Sequence, residues 1–228
     1  MTTMRLFMIV AISLALLSVG MLTVAQDNGP LIQNGHDGLD EFSSVITNPT
    51  FEGEATIINV NGRYIDVPPG WSFTGNPEVG GLPPFVVDTP EQDYEFVWEW
   101  INGSAGFAQD GIQLFGNQRY AIQVDYLTNL YYTSRDLPFV PSDFQVYARL
   151  YTANGGMQAL PPISMTGLAE QQNVEWVIES TSNPYPFVRL EVRFDVEWPT
   201  FRGSVYLQRA DIVTVPDDYR QNFVVNFE

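Results

Sequence analysis

The stretch that decides the fold is "VRLEVRFDVEW", residues 188 to 198. Its residues alternate strictly between apolar and polar: Val188, Leu190, Val192, Phe194 and Val196 against Arg189, Glu191, Arg193, Asp195 and Glu197. Because successive side chains of a strand point to opposite faces, this period of two places every apolar residue on one side. The stretch therefore predicts an antiparallel strand with one face in the core and one face toward water.

The same period recurs along the chain. It is clearest in "RYAIQVDYL" (119–127) and "FQVYARLY" (144–151), and "FVWEWI" (96–101), "VEWVIES" (174–180) and "SVYLQRADIVTV" (204–215) are also strand-like. Clusters of Pro and Gly separate these runs, and no amphipathic helix is predicted after residue 25. Many short strands with regular turns predict an all-β fold, an antiparallel β-sandwich or jelly roll.

The N-terminus has the pattern of a helical signal peptide. One positive charge, Arg5, precedes the apolar run 6–19, and the small residues Thr23 and Ala25 follow at the positions that a signal peptidase requires. We expect cleavage after Ala25 and export of the rest of the chain. An uncleaved membrane anchor is the alternative, because residues 6–25 are just long enough to span a bilayer as a helix.

The sequence divides into four parts: a signal peptide (1–25), a polar flexible leader (26–41), a sandwich domain (42–216) and a C-terminal tail (217–228). A domain of this size can bury a substantial core. The chain has no cysteine, which excludes disulfides and thiolate chemistry and fits bacterial export better than an animal secretory pathway. The single histidine, His36, lies in the leader, where we expect it to be solvated.

The net charge narrows the possible partners. The formal charge is −17 at pH 7, and all ten basic residues are arginines. Nucleic acids and anionic lipids need positive charge on their protein partner, so both are disfavoured. Membrane contact is expected only through the N-terminal segment, if that segment is not cleaved.

Three motifs in order resemble carbohydrate-binding modules of the galactose-binding-like jelly-roll superfamily. The first is "NPTFEG" (48–53) followed by "PPGW" (68–71). The second is "GSAGFAQDGIQLFGNQRYAIQVDYLT" (103–128), in which a small-residue turn leads to hydrophobic alternation. The third, "FRGSVYLQRADIVTVP" (201–216), is similar to the last strand of that fold. The resemblance spans about residues 43–216 and implies a jelly roll that binds a glycan.

The resemblance also implies a structural calcium ion, held between an early Glu and an Asp of the last strand. Glu52 matches the first position and is the metal ligand that we name. The second position is Gln208, with Arg209 beside it. Calcium affinity depends on the number of charged oxygen ligands, so a neutral amide weakens the implied site. The alternative role for Glu52 is a hydrogen bond within its own turn.

Sugar binding needs flat apolar faces for the C–H side of the ring and planar polar groups for its hydroxyls. The polar faces of the predicted strands offer both, if those strands share one sheet. Trp98 and Trp100 are the additional candidates: they lie either in the core or on an exposed platform. The ordinary alternative is a solvated sheet face with cross-strand Arg–Glu pairs. The predicted ligand-binding residues are Trp98, Trp100, Gln123, Asp125, Tyr147, Arg149, Tyr151, Arg189 and Glu191.

The function predicted from the sequence is non-catalytic binding of an extracellular or cell-envelope glycan. The segment 192–198 is similar to the Glu-x-Asp-x-Glu strand of jelly-roll glucanases, but Arg193 stands where the nucleophile belongs, so no enzymatic activity is expected. The alternative is a structural or adhesive envelope protein with protein partners and no sugar site. A glycan hydrolase is less well supported, because it needs a second acid opposite Asp195 or Glu197.

Overall fold

The computed structural model describes residues 43–77, 82–91, 93–99, 103–132, 144–164, 171–179, 187–196, 201–219 and 224–226. The expected signal peptide and the whole of the leader lie outside these residues, as do His36, Trp100 and Glu197. All described residues belong to one of the two units into which contacts divide the chain, residues 32–228.

The described chain forms fourteen strands and no helix, which confirms the all-β prediction. Their bounds are β1 Thr56–Val60, β2 Arg63–Val67, β3 Ser72–Pro77, β4 Phe85–Asp88, β5 Tyr94–Glu99, β6 Gly103–Asp110, β7 Arg119–Tyr132, β8 Phe144–Thr152, β9 Met157–Ala159, β10 Ile163–Ser164, β11 Gln171–Glu179, β12 Phe187–Val196, β13 Phe201–Val215 and β14 Val224–Asn226.

The strands form two sheets that pack as a sandwich. The eight-stranded sheet has the order β1-β2-β4-β5-β13-β7-β11-β14, and the six-stranded sheet comprises β10-β8-β12-β6-β3, with β9 beside β8. All pairings are antiparallel except β2 with β4 and β11 with β14. The strand β14 lies in the stretch that we expected to be a C-terminal tail.

The core fills the space between the sheets. It consists largely of the apolar residues of the alternating strands. In β12 the residues Leu190, Val192, Phe194 and Val196 are buried, as predicted. The apolar faces of β7 and β8 enter the core as predicted. The prediction that the opposite face meets water is wrong for much of β7 and β12, because Ala121, Gln123, Asp125, Glu191 and Arg193 are buried as well. Aromatic rings pack edge to face across the core, for example Phe96 on Phe194 with ring centroids 5.4 Å apart. Such contacts add to the stabilisation from burial alone.

The turns around Asn48 and Trp71 are fastened to each other at one end of the sandwich. The Asn48 Nδ2 donates to the carbonyls of Glu52 (2.9 Å) and Pro69 (3.0 Å). The Trp71 Nε1 donates to the Asn48 carbonyl at 2.8 Å. Phe51 packs edge-on against Trp71 with centroids 5.2 Å apart, and both rings are buried. Phe51 and Trp71 are therefore structural residues that close this end of the sandwich.

The small residues that we expected to form a turn after residue 103 instead form the strand β6. This strand pairs with β3 on one side and β12 on the other. A β-carbon on Gly106 would lie 1.8 Å from the carbonyl oxygen of Val192, so only glycine permits this approach. The lack of side-chain bulk allows close strand pairing here, and it does not mark a turn.

Candidate functional site

Two neighbouring strands, β8 and β12, carry most of the predicted polar residues on the outer face of the six-stranded sheet. Their register places Tyr147 opposite Arg193, Arg149 opposite Glu191, and Tyr151 opposite Arg189. The condition that the candidate strands share one sheet is therefore met for β8 and β12, but not for β7, which lies in the eight-stranded sheet. We call this surface the β8–β12 face and define it by Tyr147, Arg149, Tyr151, Arg189, Glu191, Arg193 and Asp195.

Glu191 is the centre of this face and is only 3% exposed. The Tyr151 hydroxyl donates to Glu191 Oε2 from β8. The Thr74 hydroxyl donates to Glu191 Oε1 from β3 at 2.9 Å. The Arg193 Nε lies 3.1 Å from the same oxygen, an ion pair without hydrogen-bond geometry. One carboxylate thus joins side chains from β8, β12 and β3.

The link between β12 and β3 passes over β6, which lies between them. Glu191 is opposite Ala108 and Thr74 is opposite Gly106, so the two side chains meet above these small residues. Larger residues on β6 would occupy the space in which the carboxylate lies. The small residues of β6 therefore make the buried polar bridge possible, and the bridge in turn covers them.

A second group surrounds Asp195 on the same face. The hydroxyls of Tyr147 and Ser104 lie near the Asp195 carboxylate and favour its charged form. Burial raises the pKa of Asp195 above its usual value, against the opposing effect of Arg193. Burial also raises the pKa of Tyr147.

The guanidinium groups of this face lie over tyrosine rings. Arg149 is 4.8 Å and Arg193 is 5.7 Å from the Tyr147 ring centroid. Arg189 is 5.9 Å from the ring of Tyr151. Contacts of this kind hold planar cations against aromatic rings and fix the orientation of both.

The outermost groups of the face are half-buried and reach solvent. Burial together with Glu191 raises the pKa of Tyr151, against the opposing effect of the neighbouring Arg149. Arg189 makes two contacts with Asp110, at 2.9 and 3.1 Å, on β6. Tyr151, Arg149 and Arg189 thus offer one phenol and two guanidinium groups in fixed positions at the surface.

Three predicted residues lie elsewhere in the described structure. Gln123 and Asp125 are on β7, in the eight-stranded sheet, where they bond to Glu175 (3.1 Å) and Asn173 (2.7 Å). Trp98 is 1% exposed and packs in the core against Phe194. These residues do not join the β8–β12 face. Trp100, the remaining candidate, lies outside the described residues.

The predicted ligand-binding set left out three residues that the structure places on or beside this face. Arg193 and Asp195 continue the polar side of β12, and the alternation of that strand was the signal that could have included them. Thr74 is on β3, which has no alternating pattern in "SFTGNP". Its role could be found only from the packing of β3 next to β6.

The residues of the implied calcium site have other partners. The Thr50 hydroxyl donates to the exposed Glu52 carboxylate at 3.2 Å, which is the alternative role considered for Glu52. Gln208 lies at an irregularity in β13 and donates to Asp93 at 3.1 Å. In the described part of the chain, no group of three or more His, Cys, Asp or Glu residues could hold a metal. Calcium binding stays a prediction.

No protein-family profile and no curated protein matches the chain, but solved structures are similar to it. A CBM4 structure has a TM-score of 0.45 and 11% identity over 75% of this chain and 99% of its own. A cyclase from Fischerella sp. TAU has a TM-score of 0.42 and 17% identity over 76% of this chain and 98% of its own. Further similar structures are carbohydrate-binding modules, namely one of family 16, the xylan-binding domain CBM22-1 and the xylan-binding module CBM15.

The enzymatically active domain of the Bacteriophage CBA120 tailspike protein 4 is also similar, with a TM-score of 0.42 and 12% identity over 64% of this chain. This chain spans only 20% of the length of that structure. Carbohydrate-binding modules and enzymes thus both occur among the similar structures. With TM-scores below 0.5, these likenesses carry no argument about ligand or activity, which has to come from the residues themselves.

Among the residues that the structure describes, there is no helix with the length and apolarity to span a bilayer.

Proposed function

We propose that the protein is an exported, non-catalytic domain that binds a neutral or weakly charged glycan on its β8–β12 face. The observation that carries this proposal is the bridge through Glu191, which ties Tyr151 to Thr74 across the sheet. Because the bridge fixes Tyr151 before any ligand arrives, little conformational entropy is lost on binding.

The chemistry of the exposed groups supports a polyhydroxylated ligand. The ring of Tyr151 offers an apolar surface for the C–H face of a sugar. Arg149 and Arg189 offer planar pairs of N–H donors that match adjacent ring hydroxyls. Within the face, three arginines stand beside the carboxylates of Glu191, Asp195 and Asp110, so their charges are largely balanced. This balance favours a neutral glycan over a polyanion.

Binding is a better account than hydrolysis for the two acids of β12. A glycosidase needs two carboxylates that can act on the substrate, one as nucleophile or base and one as acid. Glu191 is buried and accepts hydrogen bonds from two neighbours, and Arg193 lies between Glu191 and Asp195 along β12. These features support a structural role for Glu191.

Affinity electrophoresis against soluble neutral polysaccharides, such as xylan, galactomannan and hydroxyethyl cellulose, tests the proposal. We expect at least one polymer to retard the wild-type protein. Tyr151→Ala should weaken that interaction about two- to tenfold, since a lost ring contact is worth roughly 0.5–1.5 kcal/mol and 1.4 kcal/mol is a factor of ten.

Tyr219→Ala is the matched control. Tyr219 is also a half-buried tyrosine whose hydroxyl bonds a glutamate, Glu175, at 3.0 Å, but it packs against the eight-stranded sheet. We expect this variant to migrate like the wild type when circular dichroism shows both to be folded. Equal retardation of wild type and Tyr151→Ala in every polymer would remove the β8–β12 face as the binding site.

A further inference from the structure

Large apolar side chains are exposed together on the eight-stranded sheet, at the end that β1, β2 and β4 form. Tyr64 is 70% exposed, Ile57 66%, Val87 44% and Phe85 37%. Single exposed apolar residues are normal on a protein surface, but a contiguous group on adjacent strands indicates a contact surface. We call these four residues the β1–β4 platform.

The strand register shows that the four side chains share one face. Asn59 is opposite Tyr64 and Ile57 is opposite Asp66 in the β1–β2 pair, and opposite residues of antiparallel strands point the same way. Ile65 pairs with Val86 in the β2–β4 pair, and both of these are buried. Their neighbours Tyr64, Phe85 and Val87 therefore point outward, away from the core.

Polar groups stand directly beside the apolar ones. The Asn59 Oδ1 accepts the Gly62 N–H at 3.1 Å, which fixes the amide next to Tyr64. The Asp66 carboxylate accepts the Asp88 N–H at 3.0 Å. The Arg63 guanidinium lies 3.7 Å from the Phe85 ring centroid and holds that ring in place. An exposed tyrosine ring is thus flanked by a fixed amide and a fixed carboxylate.

We propose that the β1–β4 platform is a second glycan-contacting surface, which takes the flat face of a neutral polysaccharide. This inference rests on the proposed function for the class of ligand. The alternation of apolar rings with an amide and a carboxylate suits a sugar polymer, whose ring faces are apolar and whose edges carry hydroxyls. A second copy is disfavoured, because each copy carries a formal charge of −17 and an apolar contact would have to overcome that repulsion.

The platform and the β8–β12 face are on the outer surfaces of the two different sheets. Because the sheets pack face to face, these outer surfaces point in opposite directions. One protein molecule could then hold two polysaccharide chains, one on each side. The arrangement predicts bridging of separate chains, in addition to binding of a single chain.

Binding to insoluble cellulose, insoluble β-1,3-glucan and chitin, measured by depletion from solution, tests the platform. We expect Tyr64→Ala to lower the association constant at least threefold on at least one solid. Phe115→Ala is the matched control, since Phe115 is 60% exposed but lies in the connection between β6 and β7. This control should bind like the wild type.

Comparison with Tyr151→Ala on the same solids separates the two proposals. If Tyr64→Ala binds like the wild type while Tyr151→Ala is weakened, the platform is overturned and the β8–β12 face stands. If only Tyr64→Ala is weakened, the platform stands and the proposed function at the β8–β12 face fails. A wild-type dimer in light scattering that Tyr64→Ala converts to a monomer would assign the platform to a second copy and overturn the inference.

Discussion

At the scale of single residues, two acids of the β8–β12 face and its border show how burial decides the value of an ion pair. The Glu191 side chain is 4% exposed and its partner Arg193 10%. The Asp110 side chain is 67% exposed and its partner Arg189 31%. The first pair is shielded from water and the second is screened by it. An Arg–carboxylate ion pair therefore has different energetic consequences in the two places.

We expect Glu191→Ala to destabilise the protein by about 3–5 kcal/mol, because it leaves the buried Arg193 cation without its partner. Asp110→Ala is the control and should cost about 0–1 kcal/mol, the range of exposed pairs. Urea unfolding followed by tryptophan fluorescence measures both changes. Similar losses for the two variants would show that Glu191 does not hold the bridge.

At the scale of elements, β6 depends on the absence of a side chain at one position. A β-carbon on Gly106 would meet the Val192 carbonyl oxygen at 1.8 Å and the Arg193 α-carbon at 2.8 Å, both of them backbone atoms. No rotamer change can relieve such a clash. The strand would have to separate from β12 or shift along it, and either movement breaks the ladder of the six-stranded sheet.

Gly106→Ala should therefore lower the melting temperature by more than about 10 °C or prevent folding, since a loss of ~1 kcal/mol already shifts a domain of this size by about 2–4 °C. Ala108→Gly, on the same face of the same strand, should cost only about 0.5–1 kcal/mol. Thermal unfolding by circular dichroism measures both. A stable Gly106→Ala variant would contradict the close pairing of β6 with β12.

The elements also show what the sequence could predict. Strict alternation located β7, β8 and β12 and their buried faces, because period two follows directly from strand geometry. Alternation could not show which strands share a sheet. Because β7 belongs to the eight-stranded sheet, Gln123 and Asp125 are not on the same face as the other predicted binding residues. The β1–β2 hairpin had a recognisable signal that we did not use, the Asn61-Gly62 turn, in which both residues have positive φ.

Trp98 shows why the exposure of an aromatic residue is hard to predict. Alternation in its strand β5 shows that the aromatic residues share one face. It does not show whether that face is covered by the opposite sheet or exposed to solvent. The structure places this face inward, next to Phe194 of the opposite sheet. Tyr64, one of the exposed aromatic residues, instead lies on a short strand near the sheet edge, where fewer elements are available to cover it.

At the scale of the whole molecule, the charge acts against the fold. The formal charge is −17, and the chain contains no lysine. It also has no cysteine, so no disulfide offsets the repulsion among the acidic side chains. Acidic side chains are spread over exposed positions such as Glu54, Glu91, Asp217 and Asp218. Stability therefore depends on the sandwich core, whose burial must outweigh the repulsion among acidic side chains. Dissolved salt weakens this repulsion.

Salt should stabilise the protein for this reason. Raising NaCl from about 0.01 M to about 0.15 M shortens the screening length from about 30 Å to about 8 Å. We expect the melting temperature to rise by a few degrees, roughly the effect of 1 kcal/mol in a domain of this size.

The combined variant Glu54→Gln, Glu91→Gln, Asp217→Asn and Asp218→Asn should melt at a higher temperature in low salt and respond less to NaCl. Differential scanning calorimetry of both proteins across the salt series measures the two slopes, and equal slopes would show that repulsion among these exposed acids does not limit stability.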